Sequence, residues 1–460
     1  MSSITFDTDL IKRYDRAGPR YTSYPTAVQF SEDFSIADYQ RHAEASNHSQ
    51  RALSLYFHLP FCDTVCYYCA CNKIVTKDRS KAQPYLDRLY REIDMQSRLF
   101  DPARKVDQLH WGGGTPTFIS HQQIRELMDQ TRHHFNLHDD DSGEYSIEID
   151  PREVTGESIQ LLRDVGFNRM SLGVQDFNPV VQKAVNRIQG EDQTLNAIDG
   201  ARDSGFKSIS VDLIYGLPFQ SVENFDATLD RIIEISPDRL SIFNYAHLPE
   251  RFKPQRRINE ADLPSPPEKL EILHLCIDKL TGAGYTYIGM DHFAKPDDEL
   301  AVAQQQGHLY RNFQGYSTNA DGDLASLGIT SIGTVDRCFA QNVKTMDEYI
   351  ERIDNGQLAV YRGVEIDDDD IIRRQAIMEL ICHFRLDMDG FSRKHAIHFS
   401  DYFADELTRL QPMQADGLVD IQGKIIQVTD KGRLLIRNIC MVFDRYLKQP
   451  DGNQRFSKAI

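Results

Sequence analysis

The chain has no run of apolar residues approaching the roughly 18 that a membrane-spanning helix needs. Its first residues, MSSITFDTDLIKRY, carry Asp7 and Asp9 and no apolar core of the kind a secretory leader has. Positive charge is in short supply: 52 Lys and Arg face 69 Asp and Glu, a net charge of −17 over 460 residues. An acid surface of that size argues against broad binding to nucleic acid or anionic membranes. An anionic substrate would need basic residues gathered locally against the global field. No low-complexity tract interrupts the chain, and nothing repeats beyond a strand–helix period. These absences, with 40% hydrophobic and 26% charged residues, lead to the expectation of a cytoplasmic globular protein with a sizeable core.

From about residue 53 to 245, short β-branched or aromatic runs alternate with amphipathic stretches. The strand-like runs are LSLYFH, DQLHWG, EYSIEID, NRMSLGV, SISVDLIY and DRLSIFNY. Stretches such as YLDRLYREIDMQSRLF and QQIRELMDQTRHHF have apolar residues at 3- and 4-residue spacing. Strands alternating with helices mean parallel βαβ units. Six of them predict a partial (β/α)6 barrel in an α/β fold, with a doubly wound sheet as the alternative that periodicity does not exclude. Residues 1–35 read as an extended N-terminal arm and 36–365 as the catalytic domain. Residues 366–460 read as a small, mainly helical C-terminal domain, with helices at DIIRRQAIMELICHF, SDYFADELTRLQPM and KGRLLIRNICMVFDRYL and a β-pair at LVDIQGKIIQVT. A single edge strand is predicted at YTYIGMDHF.

The cysteines are distributed unevenly. Cys276, Cys338, Cys382 and Cys440 are scattered and read as buried small hydrophobes, whereas Cys62, Cys66, Cys69 and Cys71 crowd the loop after the first strand. A disulfide framework belongs to short secreted chains. Structural zinc usually takes four ligands from two separated knuckles, and no second knuckle is present. A thioredoxin-like pair would use Cys66 and Cys69 and leave Cys62 idle. Cys62-x-x-x-Cys66-x-x-Cys69 can instead hold three corners of a four-iron cluster and leave one iron open to chemistry. Tyr68, directly before the third cysteine, can stack on an adenine.

That spacing resembles the radical S-adenosylmethionine (SAM) superfamily. The stretch His110-Trp111-Gly112-Gly113-Gly114-Thr115-Pro116 resembles its GGxTP element, which meets the SAM amino group. PRYTSYP, Cys69-Ala70-Cys71-Asn72-Lys73, SIEIDPRE, GVQDFN, VDLIYGLP, FNYAHLP and NFQGY narrow the likeness to oxygen-independent coproporphyrinogen III oxidases, over nearly the whole length. Ala70 departs from the family's Gly; its methyl tightens the turn and touches no ligand role.

The resemblance implies one [4Fe-4S] cluster on Cys62, Cys66 and Cys69, with SAM on the open iron. It places Tyr56, Gly113, Glu148 and Ile332 around a first SAM, and Tyr68, Gly114, Thr115, Gln175, Arg187, Asp212 and Ala246 around a second, two SAM being used per turnover. The alternatives are barrel filler for Tyr56 and Ile332 and an ion pair with Arg187 for Asp212. Cys71 and His58 are the catalytic candidates; each has a packing alternative. Arg20, Tyr21 and Tyr24 of the arm are candidates for binding coproporphyrinogen III, a tetracarboxylate to which arginine can pair bidentately, unless the arm only packs. The implied reaction is oxidative decarboxylation of two propionates to vinyls in haem biosynthesis, giving protoporphyrinogen IX. It requires an electron donor and a terminal electron acceptor, and the family expectation is a monomer. A haem-handling relative of the same family is the alternative; that branch lacks the PRYTSYP arm and the fourth cysteine, and this chain has both. An iron–sulfur electron carrier would need neither a glycine-rich loop nor 460 residues.

Overall fold

The computed structural model describes residues 4–319 and 322–448. The six expected strands all form: Leu53–Leu59 (β1), Lys105–Gly113 (β2), Glu144–Ile149 (β3), Arg169–Gln175 (β4), Ser208–Tyr215 (β5) and Arg239–Asn244 (β6). Between them run helices Ala82–Ser97 (α1), His121–His134 (α2), Gly156–Asp164 (α3), Glu191–Asp203 (α4) and Val222–Ile235 (α5), with a short helix, Pro179–Ala184, ahead of α4. Serine or threonine caps start α2, α3 and α5, each accepting from the backbone N–H three residues on.

Neighbouring strands are parallel and in chain order from β1 to β6. A doubly wound sheet reverses its strand order at a switch point. This one does not reverse, and the partial barrel is the result. On the other side of β1, Asp323–Leu327 (β7) adds in parallel, followed by antiparallel Ile332–Val335 (β8), Cys338–Asn342 (β9) and Val360–Glu365 (β10).

The strand sequences show where the cavity lies. Parallel strands covered on both faces usually read as continuous apolar runs. Here β3, β4 and β5 alternate instead. Tyr145, Ile147, Ile149, Met170, Leu172, Val174, Val211 and Leu213 are buried on one face. Glu148, Ser171, Gly173, Gln175 and Asp212 take the intervening positions and line a cavity. Register sets them side by side, Glu148 opposite Ser171, Gly173 opposite Asp212, and Asp212 opposite Ser241.

Beside β1, a buried carboxyl ties three elements together. Glu92 of α1 accepts from Tyr349 Oη at 2.6 Å, from the Gly328 N–H at 2.7 Å and from Asn342 Nδ2 at 2.7 Å. Burial outweighs these donors and pushes its pKa up to about 7 from 4.5. The folded state therefore holds the proton more tightly than the unfolded chain, so this contribution is full below about pH 4.5 and is lost as pH rises through about 7. Glu92→Ala strands three buried donors and is expected to cost about 3 kcal/mol, read as a lowered thermal midpoint. A midpoint unchanged at pH 6 would show that the knot carries no stability.

Contacts divide the chain into two compact units, one of residues 30–265 and 321–365, the other of 1–29, 266–320 and 366–460. These limits differ from the sequence-based 1–35, 36–365 and 366–460, chiefly in taking 266–320 out of the catalytic segment. The second unit holds helices Pro266–Gly282 and Asp368–His383 and a three-stranded sheet of Arg385–Asp387, Ile425–Val428 and Val419–Gln422. Two expectations are corrected there. YTYIGMDHF is a hairpin, Thr286–Gly289 with His292–Ala294, because Gly289 and Met290 turn the chain at φ 139° and 54°. KGRLLIRNICMVFDRYL is helical only over Ile436–Cys440 and in a 3-10 turn at Arg445–Lys448. At Gly432 the chain runs so close to Leu418 that a Cβ would lie 2.0 Å from its carbonyl oxygen, and beyond Cys440 it turns so that Asp444 reaches the arm.

Within this unit the arm is packed rather than free. Tyr21 and Tyr24 are wholly buried. Tyr21 Oη donates to Asp444 at 3.0 Å, and Tyr24 Oη accepts the Arg445 N–H at 3.0 Å. Arg437 Nε donates to the Pro19 carbonyl at 3.0 Å, and Arg20 pairs with Asp291. Both rings are core, so the packing alternative for Tyr21 and Tyr24 has direct contacts in this unit. Deleting residues 1–29 is expected to lower the melting midpoint and expose dye-binding apolar surface. An unchanged melt with weakened substrate affinity would restore the substrate role of the arm.

Candidate active site

The cysteine loop leaves the C-terminal end of β1, where α/β barrels place their chemistry. Its base is a two-residue strand, Phe61–Cys62, parallel to Ile74–Val75. The glycine-rich turn after β2 docks onto it: the Gly114 N–H donates to the Leu59 carbonyl at 2.8 Å and the Thr115 N–H to that of Phe61 at 2.7 Å. A Cβ at Gly114 would lie 2.5 Å from the Phe61 oxygen, so glycine here permits backbone-to-backbone approach of turn and loop. Thr115 Oγ1 then reaches the Cys62 sulfur at 3.7 Å.

Together these elements enclose a cavity of about 300 Å³. It is lined by Cys62, Cys66, Tyr68, Cys69, Cys71, Gly113, Gly114, Thr115, Glu148, Gln175, Arg187 and Asp212, all expected from the sequence. Tyr56, His58, Ile332, Ala246, Arg20, Tyr21 and Tyr24 do not line it. Tyr56 stacks on His110, ring centroids 5.8 Å apart, and donates from Oη to His58 Nδ1 at 3.2 Å. His58 Nε2 then donates to the Asn72 carbonyl at 3.1 Å, and burial holds the ring neutral. With both nitrogens engaged, His58 ties β1 to the far end of the cysteine loop at Asn72. Ile332 sits half-buried on β8, and Ala246 is exposed just beyond β6.

Charge in the cavity is arranged in two groups. Around the thiols are cations: Arg187 Nη1 lies 3.6 Å and Arg152 Nη2 3.8 Å from the Cys66 sulfur, and Lys73 Nζ donates to the Cys69 carbonyl at 3.1 Å. Asp150 joins both arginines, at 2.6 Å to Arg152 and 3.1 Å to Arg187. Burial pushes the Cys62 thiol up to about 11; a hydrogen bond from Cys71, helped by Lys73, holds Cys69 down at about 5.

The second group is carboxylate. Burial pushes Glu148 up, but hydrogen bonds from His110 Nε2 at 3.3 Å and the Gly113 N–H at 3.2 Å outweigh it and hold the group ionised. At Asp212 the balance falls the other way. The carboxyl accepts from Ser171 Oγ at 3.2 Å and from Ser241, and burial with the nearby Glu148 charge raises its pKa to about 6. The ion pair between Asp212 and Arg187 does not form, because Asp150 and the Gly173 carbonyl, 2.5 Å from Arg187 Nη2, take the guanidinium.

Lys73, Asp150, Arg152 and Ser171 also line the cavity and were missed by sequence reasoning. Asp150 and Arg152 lie within the recognised SIEIDPRE motif, and Ser171 sits at the polar phase of β4, the signals that could have found them.

The donor set fits an iron–sulfur cluster with SAM. Three thiols share one wall beside cations that offset thiolate charge. Gln175 Oε1 and Arg187 Nε, both buried, have no hydrogen-bond partner within the protein and are left for a ligand. Among the described residues no three Cys, His, Asp or Glu are drawn together tightly enough for a single metal ion, as zinc would require.

A partial (β/α)6 barrel carrying this cysteine loop and glycine-rich turn defines a radical SAM enzyme, and residues 56–232 match the Radical SAM superfamily. Residues 366–435 match the HemN C-terminal domain. Over 460 residues, spanning all of both chains, the sequence is 53% identical to an oxygen-independent coproporphyrinogen III oxidase of Pseudomonas aeruginosa and 52% identical to that of Escherichia coli K12. A solved coproporphyrinogen III oxidase (HemN) from Escherichia coli, itself described as a radical SAM enzyme, superposes with a TM-score of 0.92 at 51% identity, covering 97% of this chain and 100% of that one. The chain belongs to the family of oxygen-independent coproporphyrinogen III oxidases.

Proposed function

We propose that this chain converts two propionate side chains of coproporphyrinogen III to vinyls, giving protoporphyrinogen IX and carbon dioxide in haem biosynthesis. Full-length family membership supports the reading, and the observation that carries it is the cavity in which three thiols meet unpartnered Gln175 and Arg187 atoms. When bound, the cluster and SAM supply a 5′-deoxyadenosyl radical able to abstract hydrogen.

Cys62, Cys66 and Cys69 hold the cluster, and Thr115 orients the first of these through its hydroxyl. Ionised Glu148, fixed by His110 and the Gly113 N–H, is suited to an ammonium or ribose hydroxyls at the first SAM. Tyr56 supports it from behind through His110. Asp212, Gln175, Arg187, Tyr68, Gly114 and Thr115 form the wall for a second SAM. Ile332 and Ala246 would approach either ligand only from outside the cavity lining.

Each propionate loses one hydrogen atom, one carbon dioxide and one electron. Two abstractions then consume two SAM if the radical is not regenerated. The reaction draws on an electron donor for the cluster and a terminal electron acceptor. In this reading Cys71, which lines the cavity, passes a proton or electron. No helix among the described residues is long and apolar enough to cross a membrane.

The test is an anaerobic assay with reconstituted protein, SAM, a reductant and coproporphyrinogen III, following vinyl-bearing product and 5′-deoxyadenosine. Tetrapyrrole binding without vinyl formation would favour the haem-handling alternative and overturn this one.

A further inference from the structure

A net charge of −17 makes any clustered positive charge on this chain conspicuous. The segment after β6, Arg251-Phe-Lys253-Pro-Gln255-Arg256-Arg257-Ile258, carries four cations and no acid. Arg251, Lys253, Arg256 and Arg257 are exposed. None of them lines the cavity, yet the segment is fastened to the cysteine loop. Gln255, buried, donates from Nε2 to the Tyr68 carbonyl at 3.0 Å and accepts the Leu248 N–H at 2.6 Å. Arg257 lies over the Tyr67 ring, 5.2 Å from its centroid, and donates to its hydroxyl at 3.2 Å. Tyr67 is bonded directly to Cys66.

Apolar surface adjoins the same place. Ile258 packs with Val181, Val185 and Leu217 in a small core that Tyr67 and Tyr68 complete. Three of the five large hydrophobics exposed in the described chain are close to its members in sequence: Val180 next to Val181, Ile188 three residues past Val185 and Phe219 two past Leu217, at 58%, 70% and 47% exposure. Phe219 is held there at a left-handed φ of 64° by its N–H to the Asp262 carbonyl, a costly conformation for a ring left in solvent. Glu250, Glu260 and Asp262 flank the basic segment and limit the positive field to its centre.

A cationic centre with an apolar margin is the pattern of a steered, transient protein contact. The proposed function, on which this inference rests, needs one electron delivered at the cysteine loop for each SAM cleaved. We propose that the surface formed by Lys253, Arg256, Arg257, Tyr67 and Phe219 docks a small acidic one-electron carrier protein. The carrier gives up one electron and the cluster takes it; no proton or atom crosses. Gln255 and Tyr67 make the docking face rigid with the loop that holds Cys66, so the carrier's redox group is presented at a fixed distance.

Reduced flavodoxin, an acidic flavoprotein, serves as the probe, and its anaerobic oxidation by cluster-loaded enzyme is followed by stopped flow. The double variant Lys253→Glu, Arg256→Glu is expected to lower the second-order rate at least ~10-fold at low ionic strength and to converge with wild type at high salt. The neutral pair Lys253→Gln, Arg256→Gln should fall between, and serves if charge reversal harms folding. Phe219→Ser should slow the rate without changing its salt dependence. With dithionite in place of the carrier, all variants should decarboxylate at the wild-type rate with an unchanged KM for coproporphyrinogen III. Equal carrier rates in variants and wild type at every salt concentration overturn the proposal, and so does a raised KM with dithionite, which would assign the cations to substrate carboxylates. Failure of wild type itself with dithionite would instead sink the proposed function.

Discussion

Cys62→Ala, Cys66→Ala and Cys69→Ala are each expected to abolish the visible absorbance and iron content that anaerobic reconstitution gives the wild-type protein. All three sulfurs line one cavity wall beside Arg152, Arg187 and Lys73, and a cluster already lacking a fourth protein ligand is not held by two. Cys71→Ala, by contrast, should keep its iron and lose most of its turnover. Cys71 opens to the cavity, and its hydrogen bond to Cys69 stabilises a neighbouring thiolate without being a ligand. Iron analysis decides the assignment: a Cys71→Ala protein without cluster would show that the ligand set is drawn wrongly.

Asp212→Asn should leave the protein folded and stop it part-way. Breaking a buried ion pair costs about 3–5 kcal/mol, but Arg187 is committed to Asp150 and Gly173, and Asp212 is held by two serines. Asparagine keeps one acceptor oxygen and turns its amide toward the other serine, whose hydroxyl can accept, so a stability change within about 1 kcal/mol is expected. The sign with pH is defined. Asp212 titrates at about 6 in the folded protein against 3.8 ordinarily, so its carboxyl favours folding most below about pH 4, and that share is lost as pH rises through about 6. Above pH 7 the asparagine variant should therefore melt no lower than wild type. Losing a charged partner for a ligand amine or ribose removes about 1.5–3 kcal/mol of binding, roughly 10–100-fold in affinity. Methionine release from the first SAM should persist while protoporphyrinogen falls by that factor and the mono-vinyl intermediate accumulates. A variant that melts early yet shows full activity per folded molecule would remove Asp212 from the cofactor wall.

The two arginines beside Cys66 show why part of the site escaped sequence reasoning. Arg187 was named from the sequence as a residue of the second SAM site, with Asp212 as its alternative partner; the acid it meets is Asp150. Asp150 lies 37 residues from it in sequence and meets it only because the end of β3 and the loop after the short helix Pro179–Ala184 come together in the fold. His58 was placed correctly at the strand end, but its role was not legible. That its Nε2 meets the Asn72 carbonyl depends on how the cysteine loop returns past the strand end.

Local chemistry determined much of this protein. Period-two alternation with interspersed amphipathic stretches specified six parallel βα units, because a strand must hide one face and a helix one stripe. The spacing of Cys62, Cys66 and Cys69 and the run Gly112-Gly113-Gly114-Thr115-Pro116 specified residues that line one cavity, because side-chain reach and backbone approach are set within a few residues. Only the tertiary structure decided that Tyr21 and Tyr24 are core, that residues 266–320 group with the C-terminal segment, and that KGRLLIRNICMVFDRYL breaks after Cys440. These outcomes depend on burial and on partners such as Asp444, 423 residues from Tyr21, and no local pattern encodes which distant groups will meet.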